Sequence, residues 1–441
     1  MVQKKKLYIE TYGCQMNFSD SEIVASVLAE THETTNDVKE ADLIFINTCS
    51  IRDNAEDRVW KRLIQLGYMK RKNKNLKVGI LGCMAERLKE KLLEQQAAVD
   101  LVVGPDAYRN LPKLLNEVGS GQNAINVILS EEETYADISP VRYDSNGVSA
   151  YISIMRGCEN FCSYCVVPYT RGKERSRDPQ TIVNETNRLF EEGYREVTLL
   201  GQNVNSYRWQ IDNSMVDFPK LLEMVAIVNP QLRVRFATSH PKDLSDDLLY
   251  TIAKYPNLCK SIHLPVQSGS DNMLLKMNRK YTRTWYLDRI AAIKRILPDA
   301  SISTDTISGF CSETEADHQE TLSMMEHVGY DFAYMFKYSE RPDTAASKRF
   351  PDDIPEEVKA RRLQEIIDLQ SKLSLQQNKK DVGKIVEVLV EGVSKRSKEH
   401  FSGRNSQNKV VVFPKENYKI GDYATVYIYE CTGGTLKGRT L

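Results

Sequence analysis

The stretch Arg156–Arg177 reads R-G-C-E-N-F-C-S-Y-C-V-V-P-Y-T-R-G-K-E-R-S-R, and Cys158, Cys162 and Cys165 form a C-x3-C-x2-C pattern in it. A four-iron cluster ordinarily takes four thiolates. Three on one short loop leave a metal position open, and open positions are where metals act on ligands. A zinc loop completed by a distant His or Cys is the plainer alternative, although this spacing is unusual for zinc.

Immediately before the loop, Tyr151–Met155 reads as an apolar strand. Further strands with helical intervals are expected at Val197–Leu200, Arg233–Ala237, Ser261–Leu264, Ser301–Ile307 and Asp331–Met335. A β-α repeat of this length predicts a partial (β/α)6 barrel with its chemistry at the C-terminal strand ends. Polar residues gather there: Gln202 and Asn203, Ser239 and His240, Gln267 and Ser268, Asp305, Lys337, Ser339 and Arg341. Of these, Gln202, Asn203, Gln267, Ser268 and Asp305 are the candidate cofactor-binding residues. His240 and His263 read as structural, and Cys259 and Cys311, without neighbouring thiols, as packing residues. An amphipathic helix over Pro355–Leu375, with Leu363, Ile366, Leu369 and Leu373 on one face, closes this domain.

Upstream, residues 1–140 read as a separate α/β domain with a parallel sheet. Strands at Lys5–Glu10, Leu43–Ile46 and Val78–Leu81 are each followed closely by a cysteine: Cys14, Cys49 and Cys83. Helical patterns around Ser19–Glu30 and Asn54–Lys70 separate them, which is βαβ alternation. Residues just past such strand ends meet in one crevice. Adjacent strands lie roughly 4.8 Å apart, so these three thiols can share one metal group. The S-D-S-E run at 19–22 reads as helix initiation, with Ser19 or Ser21 near the cap.

Downstream, residues 378–441 alternate apolar and polar residues between turn glycines, which predicts a small OB-like β-barrel. This segment holds 12 Lys/Arg against 7 Asp/Glu, whereas the whole chain balances at 60 and 60. Lys395, Arg396, Lys398 and Arg404 make it a candidate nucleic-acid surface. A second basic run, Arg171, Lys173, Arg175 and Arg177, follows the cysteine loop and could meet phosphates or simply be solvated. The domains are therefore taken as 1–140, 141–377 and 378–441.

Composition narrows the class. Zero net charge excludes a global field for nucleic acid, leaving local patches. Nine cysteines in so long a chain suit a reducing compartment better than a disulfide scaffold. Neither an apolar signal core nor an apolar run long enough for a membrane span is present, so a cytoplasmic protein is expected.

The C-x3-C-x2-C loop after an apolar strand resembles the signature of the radical S-adenosylmethionine (SAM) superfamily. Taken together, the three pieces resemble the methylthiotransferase family over nearly the whole chain: a cluster domain, a radical-SAM domain and a TRAM domain. T-Y-G-C-Q-M-N (11–17), N-T-C-S-I-R (47–52), Y-C-V-V-P-Y-T-R-G (164–172) and L-P-V-Q-S-G-S (264–270) resemble its dimethylallyl-adenosine tRNA branch. The branches acting on a ribosomal-protein aspartate or on threonylcarbamoyl-adenosine typically read S-L-G-C-P-K-N with N-T-C-G-F, or T-L-G-C-K-V-N with N-T-C-T-V. One departure is G-F-C-S-E-T (309–314), where G-F-P-G-E-T is usual.

The resemblance implies that Cys158, Cys162 and Cys165 hold a [4Fe-4S] cluster whose open iron chelates SAM. It implies a second [4Fe-4S] cluster on Cys14, Cys49 and Cys83 that delivers sulfur, and a second SAM as methyl donor. No catalytic side chain beyond the cluster ligands is implied. The implied partners are a tRNA anticodon stem-loop carrying dimethylallyl-adenosine at position 37 and a low-potential electron donor of flavodoxin or ferredoxin type. A monomer is expected. Two alternatives remain: the same chemistry on another of the family's substrates, and a non-catalytic iron–sulfur protein that binds RNA.

Overall fold

The computed structural model describes residues 3–49, 53–96, 98–143, 145–212 and 214–441, with side chains left out for 53–55. Ser50, Ile51 and Arg52 of the N-T-C-S-I-R motif lie outside the described residues.

The first sheet contains β1 (Lys5–Tyr12), β2 (His32–Thr34), β3 (Leu43–Thr48), β4 (Lys77–Gly82), β5 (Leu101–Val103) and β6 (Ala124–Asn126). All pair in parallel in the order β2-β1-β3-β4-β5-β6. Every residue of β3 is buried, as a central parallel strand with both faces covered requires. Val24, Leu43 and Phe45 pack on one face; Ile44, Ile46 and Ile80 pack on the other.

The helix after β1 spans Gln15–Val27, four residues earlier than the S-D-S-E run suggests. Its N-cap is Cys14, which makes no side-chain capping bond. Ser19, Asp20 and Ser21 are therefore interior helix residues, all buried. The expectation of a cap there is corrected: the short turn at Gly13 starts the helix almost at the strand end.

The central domain begins with β7 (Ser149–Ser153), followed by a small antiparallel pair, β8 (Met155–Arg156) with β9 (Arg175–Ser176). Next come β10 (Glu196–Leu200), the hairpin β11 (Arg208–Ile211) with β12 (Ser214–Asp217), and β13 (Arg233–Ala237). β14 (Ser261–His263), β15 (Ser301–Ser308) and β16 (Phe332–Lys337) complete it. The parallel sheets β13-β10-β7 and β14-β15-β16 are joined by the parallel bridge Val234–Leu258. One apolar core, including Ile152, Leu199, Val234, Ile262 and Ile302, runs through both, so this is the partial six-stranded β/α barrel the repeat predicts. The closing helix spans Glu356–Lys379 and buries Ile366 and Leu373.

The C-terminal strands β17 (Ile385–Val393), β18 (His400–Arg404), β19 (Val410–Pro414), β20 (Tyr423–Cys431) and β21 (Leu436–Thr440) form a closed barrel. Its 404–409 turn docks at the N-terminal ends of the central strands. Arg235 donates to the Asn405 carbonyl at 2.7 Å, Arg233 to the Arg404 carbonyl at 2.7 Å, and Ser301 to the Gln407 carbonyl at 2.7 Å. Cys158 and its neighbours leave the opposite, C-terminal ends. No described helix is long and apolar enough to cross a membrane.

Candidate cluster sites and their surroundings

Strand register explains the N-terminal thiol set. Tyr12 pairs with Thr48, and Thr48 with Gly82, so three neighbouring strands end level. Cys49 and Cys83 follow these ends by one residue and Cys14 by two, which gathers them at one edge. Gly13 makes the approach possible: it sits at φ +145°, and a Cβ there would come within 2.7 Å of the Cys49 Cβ. A buried amide brace fixes the floor, with Asn17 Nδ2 donating to Asn47 Oδ1 at 3.1 Å and Asn47 Nδ2 to Ser21 at 2.9 Å. The Cys14 thiol donates to Asn17 Oδ1 at 3.3 Å. A hydrogen bond from Cys49 holds the Cys14 thiol pKa down at about 6, with desolvation opposing it and the Arg171 guanidinium assisting. Burial pushes the Cys83 thiol up despite Arg171 beside it.

The central set lies on the loop between β8 and β9. Gly157 has φ +78°, and a Cβ there would meet the Lys173 carbonyl oxygen at 1.8 Å. Only glycine lets the outgoing and returning chains close this loop, with Cys158 N–H donating to the Gly172 carbonyl at 3.1 Å. The three sulfurs all accept hydrogen bonds. Arg279 Nη1 donates to Cys162 at 3.1 Å, Asn160 Nδ2 to Cys158 at 3.5 Å and the Val167 N–H to Cys165 at 3.5 Å. Burial raises the Cys158 thiol to about 11 and pushes Cys165 up as well, so metal binding here releases protons. All nine cysteines are free thiols. Both triads have the donor set of a three-thiolate iron–sulfur site, with N–H groups aimed at sulfur as such sites need.

The two triads adjoin. The short helix Val167–Arg171, beginning two residues after Cys165, packs on the helix Cys83–Leu88. Five residues of helix amount to about 8 Å. From its end, Arg171 reaches into the first domain, where Nε donates to Cys83 Sγ at 3.2 Å and Nη2 pairs with Asp20 at 2.8 Å. Arg156 Nη2 reaches the other oxygen of Asp20 at 2.6 Å.

Around the C-terminal mouth of the central strands, several buried polar atoms have no hydrogen-bond partner: Gln202 Oε1, both Asn205 amide atoms, Ser239 Oγ, His240 Nε2 and Thr306 Oγ1. Buried polar groups are rarely left unpaired without a reason. His240 is held neutral, its pKa pushed down to about 2 by burial and by the cations Arg279 and Lys242.

Three family models match along the chain: the uncharacterized protein family UPF0004 over residues 6–104, the radical SAM superfamily over 152–325 and the TRAM domain over 379–441. A relative from Amoebophilus asiaticus, named tRNA-2-methylthio-N(6)-dimethylallyladenosine synthase, is 59% identical and covers 98% of this chain and 92% of its own. One of the same name from Bacteroides fragilis is 58% identical, covering 98% and 95%. The chain belongs to the tRNA-2-methylthio-N(6)-dimethylallyladenosine synthase family.

Among solved structures, the radical S-adenosylmethionine methyltransferase TsrM from Kitasatospora setae matches with a TM-score of 0.58 at 13% identity, over 78% of this chain and 77% of that one. The cobalamin-dependent S-adenosylmethionine radical enzyme OxsB matches with 0.51 at 10% identity, over 83% and 56%. At that identity the likeness is one of fold.

Within this family frame, several sequence expectations need correction. Arg171, Arg175 and Arg177 do not face solvent phosphates. All three are buried, on Asp20, on Asp106 at 3.0 Å and on Glu185 at 2.6 Å respectively. Lys173 is the exposed cation of that run, paired with Glu131 at 2.9 Å. Arg404 is half-buried between Glu391 and Glu196, at 2.6 and 3.1 Å, and so braces the barrel against the central domain. Lys395, Arg396 and Lys398 are exposed.

Two candidate cofactor residues are engaged within the protein. Asn203 donates to Asp243 at 2.7 Å and accepts from the His240 N–H at 3.0 Å. Ser268 bonds Thr321 and accepts from the Ser270 N–H. Gln267 is buried, in the left-handed region at φ 72°. Asp305 lies 3.3 Å from His263 Nε2, and Gln202 keeps an unpaired oxygen. Cys259 and Cys311 are buried as expected of packing residues. Asp20, Arg156, Asn205, Arg279 and Thr306 escaped the sequence reading. Arg156 alone carried a signal, as the residue opening the cysteine loop.

Cys311-Ser312 stand where the resemblance leads one to expect Pro-Gly. Cys311 fills an apolar cluster with Met273, Phe310 and Tyr338, and Ser312 adopts φ 59°, the region that glycine ordinarily serves.

Proposed function

We propose that this chain is a tRNA methylthiotransferase that places sulfur and a methyl group on C2 of N(6)-dimethylallyladenosine, next to the anticodon. The observation that carries this reading is the pair of three-cysteine sites, one in each of two domains, adjoining through Arg171. Near-full-length kinship with the named synthases supports the choice of substrate.

On this reading Cys158, Cys162 and Cys165 hold one [4Fe-4S] cluster and Cys14, Cys49 and Cys83 a second. When bound, such clusters with SAM supply one-electron chemistry at an unactivated aromatic C–H, which no side chain can provide. The protein's own part is positioning and exclusion of water. Gln202, Asn205, Ser239, neutral His240 and Thr306 present unpaired polar atoms to orient SAM and the base. Arg279 anchors Cys162 from the far side while also donating to the Pro265 carbonyl at 2.7 Å. A base from a folded anticodon loop must leave its stack to reach this depth, and the exposed cations Lys173, Lys395, Arg396 and Lys398 hold the phosphates meanwhile. A flavodoxin- or ferredoxin-type donor, a monomeric state and a cytoplasmic setting complete the reading.

Reconstituted protein given SAM, reductant and dimethylallyl-adenosine tRNA should form the methylthio nucleoside, and Cys14→Ala should not. Conversion that survives Cys14→Ala would refute the two-site reading.

A further inference from the structure

Charge is unbalanced where the two cysteine sites adjoin. Asp20 takes both Arg156 and Arg171, at 2.6 and 2.8 Å, and Asp106 takes Arg175 at 3.0 Å. All five side chains are buried. Glu86, also buried there, lies 3.9 Å from the half-exposed Lys89, and burial lifts its carboxyl to about 7, so it offsets at most part of a charge. Three guanidinium groups against two carboxylates and a partly protonated Glu86 leave a positive surplus in the interior. Tyr135 softens it, with the Arg156 guanidinium 4.6 Å from its ring centroid, but an aromatic face offsets only part of a buried cation. An uncompensated buried charge costs several kcal/mol.

The surplus sits next to sulfur. Arg171 donates its Nε–H to Cys83 at 3.2 Å, and its Nη1 is buried with no hydrogen-bond partner. Beyond Asp20, thiolates at Cys83 and Cys14 are the anions within reach. The arginine comes from the central domain and the sulfur from the N-terminal one, so neither domain alone assembles the balanced site.

We propose that Arg171 is a positioning residue for the N-terminal cluster site, contributed by the neighbouring domain, whose charge balances the thiolate-bound iron–sulfur group and raises its reduction potential. This rests on the reading of Cys14, Cys49 and Cys83 as cluster ligands. Net charge and hydrogen bonds to sulfur are the protein's main means of setting such potentials.

The test uses the full chain with Cys158, Cys162 and Cys165 changed to alanine, so that iron reports the N-terminal site alone. Iron content and the midpoint potential, followed by electron paramagnetic resonance, are compared for that parent and for its Arg171→Gln, Arg171→Lys and Asp20→Asn derivatives. A parent without a cluster refutes the ligand reading itself. Given a cluster, Arg171→Gln should disfavour reduction at least tenfold, about 59 mV more negative for a one-electron couple. Asp20→Asn, which removes a negative charge from the same network, should move it the other way, and Arg171→Lys should stay near the parent. Equal shifts in the same direction for Gln and Asn, or none, would overturn the proposal, since loosening the interface affects both alike. If Arg171→Gln loses its iron, retention by Arg171→Lys supports the role of charge, and loss from both overturns it.

Discussion

Ser312 and Asp353 form a two-point contact in which the Ser312 N–H donates to Asp353 Oδ1 at 2.6 Å and its hydroxyl to Oδ2 at 3.1 Å. This carboxylate holds a serine at φ 59°, in the left-handed region that glycine ordinarily serves. A left-handed conformation costs a non-glycine residue about 1 kcal/mol, close to the value of one hydrogen bond, about 1 kcal/mol. Ser312→Gly should therefore lie within about 1 kcal/mol of the parent, because strain and bond disappear together. Asp353→Ala should cost about 1–2 kcal/mol in the parent and clearly less beside Ser312→Gly. A double-mutant cycle of urea midpoints measures the difference.

Glu86 makes stability depend on pH. Burial lifts its carboxyl to about 7 from an ordinary 4.5. Between those values the unfolded chain releases a proton that the folded one retains, so this group's contribution falls as pH rises and is fully adverse above about 7. Glu86→Gln should raise stability by about 1–3 kcal/mol at pH 8 and change it little near pH 4.5. Thermal melts at the two values check the sign.

The cations divide into structural and solvent-facing sets with different signatures. Lys395→Ala with Arg396→Ala should weaken tRNA binding and flatten its logarithmic salt dependence by about one to two units. Arg175→Gln leaves Asp106 buried without its partner and should cost about 3–5 kcal/mol in stability, with the salt slope unchanged. Filter binding across a salt series, with a denaturation curve for each variant, separates the two effects.

These same residues mark what was legible in the sequence. Cys14, Cys49 and Cys83 could be placed together because each follows a readable strand by two to four positions, and parallel strands end in a common plane. The barrel strands were readable for a similar reason, since alternating strand and helix periods need no long-range knowledge. Charge partnerships were not. A run such as R-G-K-E-R-S-R looks like a solvated basic turn, and the acids that bury it come from elsewhere in the chain. Asp20 stands 136 positions from Arg156, and Asp106 stands 69 from Arg175. Asp20 was further disguised within S-D-S-E, a sequence that suits a helix cap. What placed it inside the helix was Gly13, whose backbone lets Gln15 begin the helix early. Likewise, Arg404 sits in a basic strand of a small barrel, and only the docking of that barrel on Glu196 reveals its structural part.

The most direct test of the central claim is mass spectrometry of tRNA nucleosides from a strain lacking its own dimethylallyl-adenosine methylthiotransferase, complemented with this chain. Methylthio-dimethylallyl-adenosine should reappear with the intact sequence and stay absent with Cys162→Ala or Cys83→Ala. Dimethylallyl-adenosine that remains unconverted, or a methylthio group found instead on threonylcarbamoyl-adenosine, would contradict it.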